Sequence, residues 1–257
     1  MSVLQNITTI LKQPLILQSY KHIFLLSHMR ANTSLFGHIL GSHQDIEGYY
    51  EMHIGYYSWK SLIRQKLIYF NLHKQNKKKL FMFDKILHSE HEITLEVLQR
   101  ENVVTILSLR EPEQTVPSIV KLYEKADPSH KFCSIAGAAK YYLERLDYLE
   151  KLAKAIPKQY IYIDAQEIRD NTDEALIYLA KELNLSTPLS GNYTTQKLTG
   201  KGTTGDLSDN LKKGEVKVGK TDYSQYEIPN TLLEELQRQY KRVKSVLINN
   251  ASAKLTN

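Results

Sequence analysis

Cysteine is almost absent from the sequence, which has Cys133 as its only one among 257 residues. No intrachain disulfide and no cysteine-based zinc cluster can therefore form, and this sparing use of cysteine indicates a reducing compartment. Long apolar runs are also missing. No stretch approaches the roughly 18 residues that span a bilayer, and the amino-terminal region lacks the apolar core of a signal peptide. We expect a cytoplasmic protein with no transmembrane segment.

Two kinds of motif are absent as well. The string G-x-x-x-x-G-K-[ST] of P-loop kinases does not occur, and no recognised nucleic-acid-binding motif is found. A kinase and a nucleic-acid partner are therefore disfavoured, whereas a nucleotide-binding module without catalysis is not. The chain is nonetheless basic, with a net charge of +6 and a pI near 9.1, which favours anionic ligands, nucleic acid or a membrane surface without choosing among them. The lysines between residues 74 and 79 are interpreted as a solvated loop.

Short apolar runs without alternation are separated by segments of helical spacing. The predicted strands cover residues 22–27, 79–83, 103–109 and 159–163, and the predicted helices cover residues 33–40, 115–126, 135–155, 172–184 and 230–248. This alternation predicts an α/β fold of three α/β/α layers with a central, mostly parallel sheet, in which ligands bind at the carboxyl ends of the strands. One domain over residues 1–257 is expected. Residues 187–226 are predicted to form a mobile loop that covers the ligand.

Arg30, Asn32, Thr33 and Ser34 follow the first predicted strand and open the first predicted helix. Asn, Thr and Ser are ordinary helix-capping residues, so one interpretation is a plain strand-to-helix turn. The other is an anion site, because backbone N–H groups at a helix start suit a phosphate when hydroxyls and an arginine flank them. This stretch by itself leaves both interpretations open.

A second pair of polar residues follows the strand at 103–109. Arg110 lies at its predicted carboxyl end, and Ser118 lies one to two turns into the next helix. Both could converge on one anion above the sheet. A surface salt bridge for Arg110 and simple packing for Ser118 are the alternatives.

A third candidate lies in the aperiodic segment near the carboxyl end, at Lys201, Gly202, Thr203 and Thr204. Glycine lets the backbone come close to a ligand, so backbone amides and one ammonium group could surround a phosphate. A flexible linker is equally compatible with this composition. Three possible anion sites on one basic chain are more informative together than any one alone.

Together the three motifs resemble those of the sulfotransferases that use 3′-phosphoadenosine 5′-phosphosulfate (PAPS). In that family a Lys or Arg followed by Ser-Gly-Thr-Thr holds the 5′-phosphosulfate, and this chain has in those positions Arg30, Ala31, Asn32, Thr33 and Ser34. An arginine and a serine eight residues apart hold the family's 3′-phosphate, as Arg110 and Ser118 are spaced here. The family's Lys-Gly loop leading into Gly-Asp is matched by Lys201, Gly202, Gly205 and Asp206, with Thr203 between them.

The resemblance covers roughly residues 20–215 and implies a P-loop NTPase-like sulfotransferase fold with a five-stranded parallel sheet. It also implies PAPS as co-substrate, adenosine 3′,5′-bisphosphate (PAP) as product, and no metal. Two departures matter. Ala31 and Asn32 replace Ser-Gly, although Asn is the non-glycine residue that best tolerates left-handed backbone angles. For the adenine, Leu35 replaces a ring that some members stack on it, and Ala165 falls where another contact is often a tyrosine, which leaves Tyr160 or Tyr162 as the adenine candidates.

Sulfuryl transfer to a hydroxyl needs a base for the acceptor proton, positive charge near the leaving phosphate and in-line placement of the reactants. The resemblance implies that Arg30 supplies positive charge and that Glu51 matches a catalytic glutamate of carbohydrate- and tyrosine-modifying members. His53 is the alternative base, and Lys85 is a second cation beside the sulfuryl oxygens. The plain alternatives for these three are a loop acid, a surface histidine and a surface lysine.

Aromatic residues cluster beside the expected base, namely Tyr49, Tyr50, Tyr56, Tyr57 and Trp59. Aromatic faces suit sugar rings as well as lipids or phenols, and core packing is the plain alternative. The glutamate favours a small-molecule or glycan acceptor, with the hydroxyl on a carbohydrate or glycoconjugate. No nucleic-acid partner is expected. The number of subunits stays open, with a homodimer among the alternatives.

Overall fold

A sheet of six parallel strands forms the centre of the computed structural model, which describes residues 3–74, 77–199, 210–219 and 221–256. The strands are β1 (Lys21–Leu26), β2 (Ile46–Glu47), β3 (Phe81–Ile86), β4 (Val103–Leu109), β5 (Tyr160–Asp164) and β6 (Ala253–Leu255). Their order across the sheet is β2-β3-β1-β4-β5-β6, and every neighbouring pair is parallel.

Helices cover both faces of the sheet. They are α1 (Val3–Lys12), α2 (Thr33–Ser42), α3 (Trp59–Leu72), α4 (Leu95–Leu98), α5 (Pro112–Ala126), α6 (Ile135–Ala155), α7 (Glu167–Asp170), α8 (Thr172–Glu182) and α9 (Asn230–Asn250). Helices α2 and α8 pack on one face, and α5, α6 and α9 pack on the other. The predicted α/β/α architecture is confirmed. Within the described residues, no helix is both long enough and apolar enough to cross a membrane.

Burial on both faces explains why the central strands show no alternation of apolar and polar residues. In β1, Ile23 and Leu25 join the core under α2 and α8, whereas Phe24 and Leu26 join the core under α5, α6 and α9. All four side chains are fully buried. Residues 23–26 of this strand are therefore all apolar for packing reasons.

The strands end together at one edge of the sheet. Leu26 of β1 pairs with Ile86 of β3 and with Leu107 of β4, and Leu109 of β4 pairs with Asp164 of β5. Strands β2 and β3 lie on one side of β1, and β4 lies on the other side. The order of the strands across the sheet therefore reverses at β1. In open α/β sheets ligands bind in the crevice at such a point.

The structure differs from the sequence prediction mainly in the extent of β3 and in the two outermost strands, β2 and β6. Strand β3 was expected over residues 79–83 but ends at Ile86, because its charged residues Asp84 and Lys85 are buried rather than exposed. Strands β2 and β6 have only two and three residues, too few for a recognisable pattern. The sheet consequently has six described strands where the resemblance implied five.

Two glycines place the segment that follows β2. A Cβ atom on Gly37 would lie 2.3 Å from the carbonyl oxygen of Tyr49, so only glycine lets this segment cross α2 so closely. Gly48 has φ +96°, a left-handed conformation that favours glycine. The chain thereby turns toward the carboxyl edge of the sheet, where Glu51 follows.

Part of the expected mobile loop is packed against the body of the protein. Within residues 187–199 and 210–219, Leu189, Tyr193 and Leu211 are buried in the core under α2 and α8. Asn192 and Glu215 form an antiparallel bridge. These contacts anchor both described ends of the loop, and its mobility stays a prediction.

Candidate functional site

The loop between β1 and α2 has two residues in left-handed conformations, Arg30 at φ 62° and Asn32 at φ 55°. Asn32 therefore takes up a conformation that asparagine tolerates and most other residues avoid. Its side chain makes no capping hydrogen bond to α2 and instead donates from Nδ2 to the carbonyl oxygen of Ala165 over 2.7 Å. This bond ties the loop to the end of β5.

The amino terminus of α2 is open toward the same loop. The first hydrogen bond of the helix runs from the amide of Phe36 to the carbonyl oxygen of Asn32, so the amides of Thr33, Ser34 and Leu35 have no partner within the helix. Lys85 donates from Nζ to Oγ of Ser34 over 3.1 Å. A helix start with free amides, hydroxyls and an ammonium group is suited to an anion.

The two strand-end motifs meet directly. Arg30 donates from Nε to Oγ of Ser118 over 2.8 Å, and Arg110 donates from Nη1 to the carbonyl oxygen of Arg30 over 2.8 Å. Two residues of the second motif thus contact the first, although about 80 residues of chain separate them. The surface salt bridge considered for Arg110 is wrong, because its side chain is buried. Ser118 is buried and hydrogen-bonded, and its contact with a bound anion stays a prediction.

Arg110 carries a buried positive charge. Burial lowers the pKa of Arg110 to about 10, so the guanidinium remains charged at neutral pH. Among the described residues no carboxylate forms an ion pair with it, and its buried Nε has no hydrogen-bond partner. A buried charge without a counter-ion is costly, so this position is suited to a bound anion.

A buried histidine supports the backbone of both arginine loops. His28 Nδ1 lies 2.9 Å from the carbonyl oxygen of Met29, and its Nε2 accepts a hydrogen bond from the amide of Arg110 over 3.0 Å. Burial lowers the pKa of His28 to about 3, which keeps the ring neutral and able to accept. This histidine was not predicted as a site residue, because it lies in the turn just after the predicted strand at residues 22–27.

Helix α6 holds the backbone below the site with three side chains. The hydroxyl of Tyr141 accepts from the amide of Met29 and donates to the carbonyl oxygen of Leu87, both over 2.8 Å. The hydroxyl of Tyr142 donates to the carbonyl oxygen of Arg110 over 2.7 Å. The fully buried Arg145 donates to two more carbonyl oxygens, at the carboxyl ends of β1 and β3. Three strand ends are therefore fixed by one helix face.

These elements surround a cavity of about 390 Å³. Its wall includes most of the predicted phosphate-binding residues within the described part of the chain, namely Arg30, Asn32, Thr33, Ser34, Arg110 and Ser118. Ala31 is buried and does not line it. Lys201, Gly202 and Thr203 lie outside the described residues.

Several cavity residues were not predicted from the sequence. Arg169, Lys213, Lys217 and Tyr223 also line the wall, and the buried Nε of Arg169 has no partner among the described residues. Arg169 could have been found by the reasoning applied to Arg110, because it follows the end of β5. The segment at 210–219 offers no comparable signal, since only its pairing with Asn192 and Tyr193 brings it to the cavity.

Glu51, the expected catalytic acid, follows β2 in the chain and lies beside the carboxyl end of β3. Glu51 is buried, accepts a hydrogen bond from the amide of Leu87 over 3.3 Å, and has an oxygen 3.9 Å from Nδ1 of His53. It is therefore not the exposed loop acid of the plain alternative. Glu51 and His53 do not line the 390 Å³ cavity. Among the described residues, no group of three or more His, Cys, Asp or Glu side chains is arranged to hold a metal.

A second buried carboxyl group lies beside Glu51. Asp84 accepts hydrogen bonds from the amides of Met52 and Lys85 over 3.0 and 2.8 Å and from the Tyr56 hydroxyl. Burial raises the pKa of Asp84 to about 7, and the nearby charge of Glu51 adds to this effect. These bonds fix the segment that carries Glu51 against β3.

The predicted aromatic residues divide into two groups. Tyr49, Tyr50 and Tyr56 are buried, whereas Tyr57 and Trp59 are about half exposed. Only the last two could therefore offer a ring to an acceptor without rearrangement.

The adenine candidates were wrong. Tyr160 and Tyr162 are buried in the core, where their hydroxyls bond to the carbonyl oxygen of Leu247 and to Asp164. Strand alternation turns both side chains toward α9 and away from the cavity. Leu35, Tyr193 and Tyr223 line the cavity instead.

Comparison with known proteins identifies the fold. No protein-family model matches the sequence, and no curated protein matches it. The structure resembles the sulfotransferase domain from the curacin biosynthetic pathway, with a TM-score of 0.57 and 14% identity over 88% of this chain and 98% of that one. It also resembles the sulfotransferase domain from the Synechococcus PCC 7002 olefin synthase, with a TM-score of 0.53 and 13% identity over 87% and 96%. A third match is mouse sulfotransferase SULT7A1 complexed with PAP, with a TM-score of 0.52 and 15% identity over 96% and 93%. The expected sulfotransferase fold is confirmed.

Proposed function

We propose that this protein transfers a sulfuryl group from PAPS to an acceptor hydroxyl on a carbohydrate or glycoconjugate. The observation that carries the proposal is the buried guanidinium of Arg110, which has no carboxylate partner among the described residues and contacts Arg30, which in turn contacts Ser118, in the wall of one cavity. A ligand with two separate phosphate groups suits such a wall, because the cations lie both at the start of α2 and at the end of β4. The fold shared with sulfotransferases supports the same assignment.

In the proposed reaction Glu51 accepts the proton of the acceptor hydroxyl. The acceptor oxygen forms a bond to sulfur as the bond between sulfur and the phosphate oxygen breaks, and PAP leaves with the electron pair of that bond. Arg30 and Lys85 stabilise the negative charge that develops on the leaving phosphate and the sulfuryl oxygens. Lys85 is suited to this role because its ammonium group already contacts Ser34 at the start of α2. The reaction needs no metal in this scheme.

Nucleotide binding is tested first by isothermal titration of the full chain with PAP and with ATP. The proposal predicts tight binding of PAP and much weaker binding of ATP, because Arg110 and Ser118 would contact the 3′-phosphate that ATP lacks. Preference for ATP would instead indicate a nucleotide-binding protein or kinase.

Sulfotransfer is tested separately by following labelled sulfate from PAPS to a panel of sugar, glycan and phenol acceptors. Transfer to a sugar hydroxyl is the expected result. Transfer to phenols alone would reject the acceptor class but not the reaction. PAP binding without transfer to any acceptor would leave a binding module as the better description.

A further inference from the structure

A second cavity lies at the β2 edge of the sheet, away from the arginine loops. It is a broad groove of about 1240 Å³ between α1 and the carboxyl end of α3, and Glu47 of β2 and the chain at Gln196 and Lys197 complete its wall. None of its lining residues lines the cavity around Arg30 and Arg110. The groove is therefore a separate feature of the surface.

The groove has a strong excess of positive charge. Five lysines line it, namely Lys12, Lys74, Lys77, Lys79 and Lys197, against one acid, Glu47. Glu47 is already engaged, since it forms an ion pair with Lys79 and accepts a hydrogen bond from the Tyr69 hydroxyl. The other four lysines form no ion pair among the described residues. A plain solvated loop at residues 74–79 does not explain why Lys12 and Lys197 line the same groove.

Exposed aliphatic side chains surround the same corner. Leu11 is 78% exposed and Leu17 is 71% exposed, and three further large aliphatic residues of this corner are also exposed, namely Ile7, Leu72 and Leu80. They belong to neighbouring elements, because α1, the turn at Pro14–Leu17 and α3 pack together, and Gln18 donates a hydrogen bond to the carbonyl oxygen of Lys79. Water-exposed leucines grouped in this way are unusual on a monomeric protein and indicate an interaction surface.

Helix α1 contributes to both features, with exposed aliphatic residues along it and one lysine, Lys12, at its carboxyl end. Ile7 and Leu11 are one turn apart and exposed, and Thr8 and Lys12, the next residue in each case, line the groove. An apolar strip flanked by lysines is the pattern of a helix that lies in the interface of a membrane. Apolar side chains enter the acyl boundary while lysines contact anionic headgroups.

Other occupants fit less well. An acidic oligosaccharide would use the lysines but would gain little from exposed leucines. A single-stranded nucleic acid would need stacking rings, and Tyr69 and Phe70, which line the groove, are buried. A duplex would use the lysines but would gain nothing from exposed leucines. A second copy docking face to face would bring two sets of unpaired lysines together, which is unfavourable.

We propose that this corner of the protein, the lysine groove together with its exposed leucines, docks onto an anionic lipid bilayer. Phosphate or carboxylate headgroups would occupy the groove, and Leu11 and Leu17 would enter the bilayer interface. The proposal is independent of the sulfotransferase assignment, because it uses no residue of the arginine-lined cavity.

The test is co-sedimentation of the full chain with vesicles of mixed phosphatidylcholine and phosphatidylserine, compared with vesicles of phosphatidylcholine alone. Binding is expected only to the anionic vesicles and should weaken at high salt. Lys74→Gln should weaken it about fivefold, since one lysine is removed from the anionic surface. Leu11→Ser should weaken it at least about tenfold because an inserted side chain is lost, and folding should be unaffected because Leu11 is exposed.

Matched controls lie on other surfaces. Ile177→Ser changes an aliphatic residue of α8 that is 68% exposed, and Lys151→Gln removes an exposed lysine of α6, so both should bind vesicles as the wild type does. Equal binding by Leu11→Ser and the wild type would overturn the proposal. Absence of vesicle binding would overturn it as well. In that case, binding of a heparin oligosaccharide through these lysines would indicate an acidic oligosaccharide as the occupant, and a dimer that Leu11→Ser abolishes would indicate a second copy.

Discussion

Arg30 donates a hydrogen bond from Nε to Oγ of Ser118 over 2.8 Å, and this bond joins the loop after β1 to the second turn of α5. The two residues are 88 positions apart in the chain. Their contact brings the predicted anion-binding motifs of two strand ends together in the wall of one cavity. The following predictions depend on that wall and on the elements that hold it.

Glu51→Gln should lower kcat by about 10² to 10⁴-fold while leaving PAP affinity unchanged, because the amide cannot accept the acceptor proton. The glutamine oxygen can still accept the hydrogen bond from Leu87, so folding should be preserved. Steady-state kinetics and PAP titration measure the two effects. His53→Ala is the matched comparison: a large loss of turnover there, with Glu51→Gln near normal, would assign the base to His53.

Arg110→Gln should weaken PAP binding by at least about tenfold, since charge-assisted hydrogen bonds to a phosphate are lost. Titration calorimetry of the purified variant measures this loss. Arg238→Gln, which removes a largely exposed arginine from α9, is the control and should bind PAP normally. Unchanged affinity in Arg110→Gln would remove this residue from the phosphate site.

Arg169→Gln should also weaken PAP binding, by several-fold, because its side chain lines the same cavity and its Nε has no hydrogen-bond partner in the described part of the chain. The dependence of affinity on salt concentration should become shallower, as one positive charge no longer faces the ligand. Titrations at low and high salt measure both quantities. Lys181→Gln removes a cation of similar sequence position from the exposed side of α8 and should change neither.

Acid should destabilise the protein partly through His28. Its pKa is about 3 in the folded protein and near 6.5 in the unfolded chain, so the unfolded chain binds more protons between these pH values. The free energy of unfolding should therefore fall as pH decreases from 6.5 toward 3, by about 1.4 kcal/mol per pH unit for this group. His28→Gln retains an acceptor for the Arg110 amide but does not titrate. Urea unfolding of both proteins from pH 7 to pH 4 should show a difference that grows in favour of the variant, and a constant difference would contradict the assignment.

Tyr141→Phe should lower the free energy of unfolding by about 1 to 3 kcal/mol, because the amide of Met29 and the carbonyl oxygen of Leu87 lose their buried partner. Urea denaturation measures this change. Tyr57→Phe removes a hydroxyl from a half-exposed residue and should cost less than about 0.5 kcal/mol. Equal stability of the two variants would show that the Tyr141 bonds contribute little.

Residue types and spacing were sufficient for the alternation of strands and helices and for the places of Arg30, Arg110 and Ser118. These are local signals: an apolar run of about six residues, a polar cluster at its end and a helical period after it can all be recognised from neighbouring residues. The same signals failed at β3, where Asp84 and Lys85 look like a loop but are buried. They also failed for Tyr160 and Tyr162 of β5, because local signals do not tell which face of the sheet a side chain of this strand occupies.

Tertiary structure alone decided which of these features meet. The order of strands places β3 and β4 on either side of β1, and only then do the ends of three strands face one another. His28 and the α6 residues acquire their roles through hydrogen bonds over about 30 to more than 100 residues of chain, which no local pattern contains. The same holds for the lysine groove, since charges from four separate elements converge there only because α1 packs against α3 at the β2 edge. Convergence over such distances follows from burial of the shared apolar core, which a linear sequence encodes only collectively.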